Sequence, residues 1–260
     1  LNKNLKTYSI IDNDTRYSEI KNINLIQKSL KLKNTKIFLN KEDNLNNLKQ
    51  LIEYKSQPLC TLSYYNHSLM LNKMKKDNIK VCLLGTAADE IFAGYYDHFL
   101  LHLSILKNKL KFNQNKKYFK NFIEPFIRNN LLKDPYKYIK NESDRRHVFD
   151  ETKKISYFLL KKNKSKFDEK LYSKDLLRNR MMNELFHEAT PVILNEDDTN
   201  SMFYSIENRS PYLDKQLIEF MYTVPSDKLI NNGYSKYILR KALDGFLDKR
   251  VLYDRKKIGF

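Results

Sequence analysis

The chain has 260 residues, 41% of them hydrophobic, and a formal net charge of +17 from 48 Lys and Arg against 31 Asp and Glu. That apolar content supports one large core or two modest ones. Mean hydropathy is −0.66, and no apolar run approaches the ~18–20 residues of a membrane-spanning helix, so no membrane role is expected.

A strongly basic chain raises nucleic acid as a partner. The basic residues are spread along the sequence, however. The denser groups, Lys161, Lys162, Lys164 and Lys166 and the pair Arg145 and Arg146, lie in polar segments without the interleaved aromatics of a stacking platform. They read as solvated surface, and nucleic acid is not an expected partner. Two cysteines, Cys60 and Cys82, are too few for a disulfide framework and read as reduced thiols of a cytoplasmic protein. The sequence starts at Leu1 and stops at Gly259-Phe260, and both ends are expected to be cuts in a longer sequence.

In chain order, Leu5 to Ile11 is a short β-rich run. Tyr17 to Leu32 places Ile20, Ile23, Ile26 and Leu30 at helical spacing. Lys36 to Asn40 reads as a second strand, Leu45 to Tyr54 as a helix, and Gln57-Pro58 as a break. Another helix is expected over Leu62 to Lys76. Val81 to Leu84 is a continuous apolar run closed by Gly85, the pattern of a strand buried on both faces. Strands alternating with helices imply a parallel sheet with right-handed crossovers. From Phe92 onward helical spacing dominates, so the chain divides into an α/β part, residues 1–92, and a largely α-helical part, residues 93–260.

Gly85-Thr86-Ala87-Ala88-Asp89-Glu90 forms the turn after the third strand. Ligands of open α/β sheets bind beyond the carboxyl ends of strands. Small residues there admit an anionic ligand to backbone N–H groups, and a helix N-terminus favours negative charge. Asp89 and Glu90 repel bare phosphate unless Mg²⁺ intervenes. The same residues also have the S/T-x-x-D/E form of a helix capping box, so cap and nucleotide site both remain open on these residues alone. His98 and His102 have i, i+4 spacing but no evident third ligand, which favours a surface or core pair over a metal site. Asp214, ahead of an apolar-periodic run, reads as a helix N-cap.

Three blocks carry a family resemblance. Val81 to Tyr95, VCLLGTAADEIFAGY, resembles V-L-L-S-G-E-G-A-D-E-L-F-G-G-Y of the asparagine synthetase family. Leu194 to Asp214, LNEDDTNSMFYSIENRSPYLD, resembles L-x-x-x-D-x-x-S-M-x-x-S-x-E-x-R-x-P-F-L-D. Between Lys236 and Phe260, KYILRKAL and RKKIGF resemble K-x-I-L-R-x-A and R-x-K-x-G-F. With TYSII against T-F-S-I, the likeness covers nearly the whole chain, in the family's order.

The resemblance implies a PP-loop, HUP-like nucleotide-binding part followed by a helical lobe. It implies ATP and Mg²⁺, a carboxylate activated as its adenylate, and ammonia as the attacking group, supplied by a glutaminase domain upstream or in trans. By the matching positions, Ile10 lies against adenine, Leu84 and Gly85 contact the nucleotide through their backbone, and Asp89 binds Mg²⁺. Lys257 is the catalytic cation of R-x-K-x-G-F. Asp198, Glu207 and Arg209 fall in the second block as candidate substrate contacts, while Glu207 and Arg209 also fit an internal ion pair. Departures are informative. The S-G-G-x-D-S phosphate loop, which belongs before TYSII, is absent, as is the glutaminase, so the chain alone is expected to turn over ATP poorly. Thr86 stands where the family has a glutamate that handles substrate or protons, and a threonine hydroxyl is no base near neutral pH. Aspartate is the default acceptor, a sugar uronate the close alternative that Thr86 favours, and a non-catalytic nucleotide-binding relative a further one.

Overall fold

The computed structural model describes residues 5–12, 14, 18–39, 44–59, 61–148, 157–158, 160 and 168–255. The first elements are β1 (Lys6–Ile11), α1 (Ile20–Leu30), β2 (Lys33–Phe38), α2 (Asn44–Lys55), α3 (Leu62–Lys76) and β3 (Val81–Leu83). Next come α4 (Ala88–Phe92), α5 (Tyr96–Ile105), α6 (Phe112–Phe122), α7 (Leu176–His187) and α8 (Ala189–Phe203). The order closes with β4 (Glu207–Arg209), α9 (Lys215–Thr223) and α10 (Tyr237–Ala242), and with shorter turns at Lys137–Lys140, Ser226–Leu229 and Lys249–Leu252.

The expected α/β architecture is present, with parallel strands and a helical lobe. β1 pairs with β2 in parallel from Lys6↔Lys33 to Ile11↔Phe38, and the α1 crossover supplies the reversal that parallel strands require. α1 ends where Lys31 takes a left-handed φ of 52° and its N–H reaches the Gln27 carbonyl. β3 pairs in parallel with β4, in the register Val81↔Glu207, Cys82↔Asn208 and Leu83↔Arg209. β4 and α8, both from beyond residue 92, thus build part of the α/β layer.

α3 lies against both strand pairs. Its Leu71 and Met74 join Cys82 of β3, Tyr204 and Ile206 in one cluster, with Tyr8 of β1 packed alongside. The Tyr8 hydroxyl donates to Asp77 Oδ2 at 3.0 Å just beyond α3, and burial together with that carboxylate pushes its pKa up to about 12. Between β1 and β3 runs a cleft of about 570 Å³, lined on one side by residues 5–8 and on the other by residues 81–84. The expectation that β3 is buried on both faces is not met: Cys82 is buried, whereas Val81 and Leu83 are 43% and 63% exposed. The Cys82 face rests on Leu71 and Met74 of α3 with Tyr204 and Ile206, and the opposite face is only partly covered.

The larger core belongs to the helical lobe. Phe99, Leu100, Leu101 and Leu103 of α5 pack with Phe119, Leu177, Met181, Leu185 and Met221. At roughly 1.5–3 kcal/mol per fully buried side chain, these contacts offset the cost of burying Asp97, His98 and His102 on the same helix. A buried Lys55–Glu196 ion pair ties α2 to α8, and Lys55 Nζ also lies 5.8 Å from the Tyr64 ring centre. The two candidate metal-ligand histidines part company. His98 pairs with Glu184, whereas His102 Nδ1 has no hydrogen-bond partner among the described residues.

Two stability measurements follow. Removing one member of the Lys55–Glu196 pair strands a buried charge, so Lys55→Met or Glu196→Leu alone should cost about 3–5 kcal/mol in urea unfolding, and the double variant markedly less than the sum. Burial lowers the His102 pKa from 6.5 to about 4. In that window the unfolded chain takes up a proton that the folded chain refuses, so His102's contribution is complete above pH 6.5 and falls as pH drops toward 4. His102→Leu should flatten that part of the urea-midpoint profile between pH 7 and pH 4.5.

Candidate active site

At the end of β3 the Leu84 N–H donates to the Arg209 carbonyl at 2.9 Å, which fixes the exit of the strand. Gly85 is exposed, and a methyl group added there would meet no atom within 4 Å. Ala87 then takes a left-handed φ of 72° as N-cap of α4. The capping-box alternative fails here: Thr86 is not the cap, and α4 has no side-chain cap bond. The Thr86 hydroxyl instead donates to Asp197 Oδ2 at 3.0 Å. α4 has five residues, ending at Ala93 with φ 59°, so its dipole contributes little and the charged side chains set the local field.

Asp89 Oδ1 lies 2.8 Å from Lys236 Nζ, with side chains 26% and 30% exposed. A partly exposed pair of this kind contributes about 0–1 kcal/mol. Gly94 makes the approach possible. A Cβ at that position would meet Asp89 Oδ1 at 1.6 Å, Asp89 Cγ at 2.5 Å and Lys236 Cε at 2.7 Å.

Two polar networks flank the pair. On one side Asp197, nearly buried, accepts from Thr86 and has His67 Nδ1 3.8 Å from its other oxygen. Burial, with the Asp197 charge adding to it, pushes the Cys82 thiol up, so Cys82 is an inert core residue. On the other side the Tyr95 hydroxyl donates to Glu90 Oε1 at 2.8 Å, and burial followed by the Glu90 charge raises the Tyr95 pKa. His98 Nδ1 accepts from the Tyr95 N–H at 3.4 Å, and its Nε2 lies 2.6 Å from Glu184 Oε2. Arg180 then joins Glu184 at 3.0 Å, Asp97 at 3.4 Å and Glu188 at 2.7 Å. Burial disfavours charge on His98, but Glu184 and Asp97 outweigh it and raise its pKa. Asp97, His98 and Glu184 bring ligand atoms within 4.8 Å of one another, yet all three are committed to this ion-pair network.

The remaining expected residues are dispersed. Leu84 lines the cleft between β1 and β3 and Gly85 follows it. Ile10 sits toward the far end of β1, opposite Ile37 and outside the residues lining that cleft. Asp198 is exposed, one helical step from the buried Asp197. Glu207 and Arg209 do pair, at 2.7 Å, but with side chains 58% and 62% exposed. The expected internal pair is thus a solvent-facing one, because i and i+2 share the uncovered face of β4. Asp214 caps α9 as expected, accepting from the Leu217 N–H at 3.0 Å. Lys257 lies outside the described residues. The segment before it is clamped: Arg240 donates to the carbonyls of Ser235 at 2.8 Å and Asp254 at 3.0 Å. The Arg255 guanidinium sits 4.2 Å from the Phe122 ring centre and 4.3 Å from that of Tyr234.

Sequence reasoning missed Lys236, Asp197, His67 and Gly94. Lys236 begins the KYILRKAL block, so a signal existed. Asp197 neighbours the acid singled out, and only the rotation of α8 decides between them. His67 carries no local signature.

The family model for asparagine synthase matches residues 1–260. Among curated proteins, "Asparagine synthetase [glutamine-hydrolyzing] 1" of Bacillus subtilis (strain 168) is 26% identical over 290 residues, covering 98% of this chain and 42% of the relative. "Asparagine synthetase [glutamine-hydrolyzing] 3" of the same organism is 23% identical over 232 residues, covering 85% of this chain and 33% of the relative. The chain thus spans less than half the length of the curated relatives it matches. With all three sequence blocks meeting at the 85–90 turn and the family match running from end to end, this chain belongs to the asparagine synthase family.

Proposed function

We propose that the chain is the synthetase part of a cytoplasmic, ATP-dependent amide ligase that activates a carboxylate as its adenylate for attack by ammonia. Aspartate is the default carboxylate, and a glutaminase domain, upstream or in trans, is the source of ammonia. The observation that carries this reading is convergence. Residues from three distant blocks meet at one strand-end turn: Thr86 and Asp89 from the first, Asp197 and Arg209 from the second, and Lys236 from the third.

The donor set fits Mg²⁺. Asp89 is a partly exposed carboxylate already matched to a cation, and Mg²⁺ usually takes one or two carboxylates and completes its shell with phosphate oxygens and water. When bound, it would supply charge neutralisation on the phosphates and on the departing pyrophosphate. Leu84 and Gly85 would meet the nucleotide through their backbone, Ile10 would lie against its base, and Lys257 would hold negative charge as the adenylate forms. Among the described residues β1 pairs only with β2 and β3 only with β4, and the cleft lies between β1 and β3. That is the opening a further parallel strand needs, and the reading assigns it to a segment bearing the S-G-G-x-D-S loop.

For proton handling, Thr86 supplies no base, but its hydroxyl is fastened to Asp197, and this carboxylate can accept a proton from the attacking ammonia. Because Thr86 stands where the family has a glutamate, a sugar uronate is kept as a second acceptor. Asp198, Glu207 and Arg209 remain candidates for contact with the acceptor's outer end.

Exchange of labelled pyrophosphate into ATP tests the reading. In a protein carrying this chain behind an S-G-G-x-D-S segment, exchange should require a carboxylic acid, and comparing aspartate with a uronate identifies the acceptor. Asp89→Asn should lower exchange at least about 100-fold. Nucleotide binding without exchange for either acid would overturn ligase activity in favour of a non-catalytic relative. Gly94→Ala, whose methyl group displaces both Asp89 and Lys236, should produce a similar loss while far-UV circular dichroism stays at the parent level.

A further inference from the structure

We propose that Lys236 holds the Asp89 carboxylate while no divalent cation is bound, and that its ammonium moves to the phosphate chain of the nucleotide once a cation takes Asp89. The proposal rests on the reading of Asp89 as the metal ligand and adds a role for a residue that this reading leaves unassigned.

Three observations carry it. The ammonium lies 2.8 Å from Asp89 Oδ1, so a cation already neutralises the oxygen that a metal would use. The pair is accessible, with side chains 26% and 30% exposed. Lys55–Glu196, by contrast, is closed to solvent at 0% and 2%. Space is also reserved for it: the missing Cβ of Gly94 admits Asp89 Oδ1 and Lys236 Cε, which would otherwise lie 1.6 Å and 2.7 Å from that atom.

The backbone of Lys236 is held by the helix it caps, and its side chain is partly exposed. Lys236 is the N-cap of α10 with φ 54°, and its carbonyl accepts from the Arg240 N–H at 3.0 Å. Movement of the ammonium therefore needs only rotation about the four-carbon stem, the freedom that distinguishes lysine from arginine. The nearby charges favour exchange over simple departure. Glu19, whose carboxyl burial raises and Lys236 lowers, shares the field of the same ammonium, and Glu90 follows Asp89 in the chain. An ammonium leaving these acids without a replacement cation would leave the carboxylates repelling one another, whereas a metal on Asp89 and an ammonium on phosphate keep every charge matched.

Binding of Mn²⁺ to a protein carrying this chain behind an S-G-G-x-D-S segment, read by electron paramagnetic resonance with and without ATP, separates the outcomes. Lys236→Met should bind free Mn²⁺ about two- to five-fold tighter than the parent, the range set by losing a partly exposed competing pair. It should bind the Mn²⁺–ATP complex about ten-fold more weakly, because a charged hydrogen bond to phosphate is lost. Lys236→Arg, which keeps the charge, should bring Mn²⁺–ATP affinity back toward the parent. Lys236→Met indistinguishable from the parent in both titrations, while Asp89→Asn loses Mn²⁺, overturns the role of Lys236 alone. Unchanged Mn²⁺ binding by Asp89→Asn overturns the metal-site reading beneath it.

Discussion

The parallel pairing of β3 with β4 is the interaction on which the rest of the site depends. Val81–Leu83 and Glu207–Arg209 are far apart in sequence, and a parallel pair cannot be closed by a tight turn. The helical lobe is the crossover that joins them. Once Leu84 N–H reaches the Arg209 carbonyl, α8 is drawn against α3 and the sheet, and its Asp197 arrives beside Thr86. The same closure brings the segment after β4 back across α4, so that Lys236 meets Asp89. A three-residue strand thereby organises residues from most of the chain.

The ion pairs sort into two populations with different consequences. Lys55–Glu196 and the Arg180, Glu184, His98 and Asp97 network are buried. Their members are costly to remove singly, because each deletion strands a charge in a poorly solvated interior. The network locks Tyr95, and through Tyr95 it locks Glu90, immediately beside Asp89. Asp89–Lys236 is partly exposed and weak in isolation. Rigid scaffolding under a partly exposed pair is what the proposed exchange requires, since the backbone would stay in place while the charges changed partners.

Much of this was legible from the sequence, and the failures have physical causes. Helix spacing located α3 at Leu62–Lys76, and the apolar run located β3 to within one residue. Asp214 was identifiable as a cap because an N-cap bond spans three residues. At Thr86 the same local pattern left two readings open: S/T-x-x-D describes a cap, but a distant acceptor, Asp197, takes the hydroxyl. The apolar run of β3 was read as burial on both faces, although alternation along a strand cannot say which face finds a neighbour. Glu207 and Arg209 were rightly matched with each other, but i, i+2 spacing on a strand fixes a shared face and not whether that face is covered.

By itself the sequence determined the family, the order of strands and helices as far as β3, and the acidic turn after it, because these are written in local periodicity and contiguous motifs; β4 lay in a part expected to be helical. Only the tertiary structure decided that Asp197 and not Asp198 faces that turn, that Lys236 is the partner of Asp89, and that Gly94 must lack a side chain for the two to meet. Each of those facts depends on the rotation of one helix or the approach of two distant segments. Such distances are set by packing over the whole chain, and no local pattern encodes them.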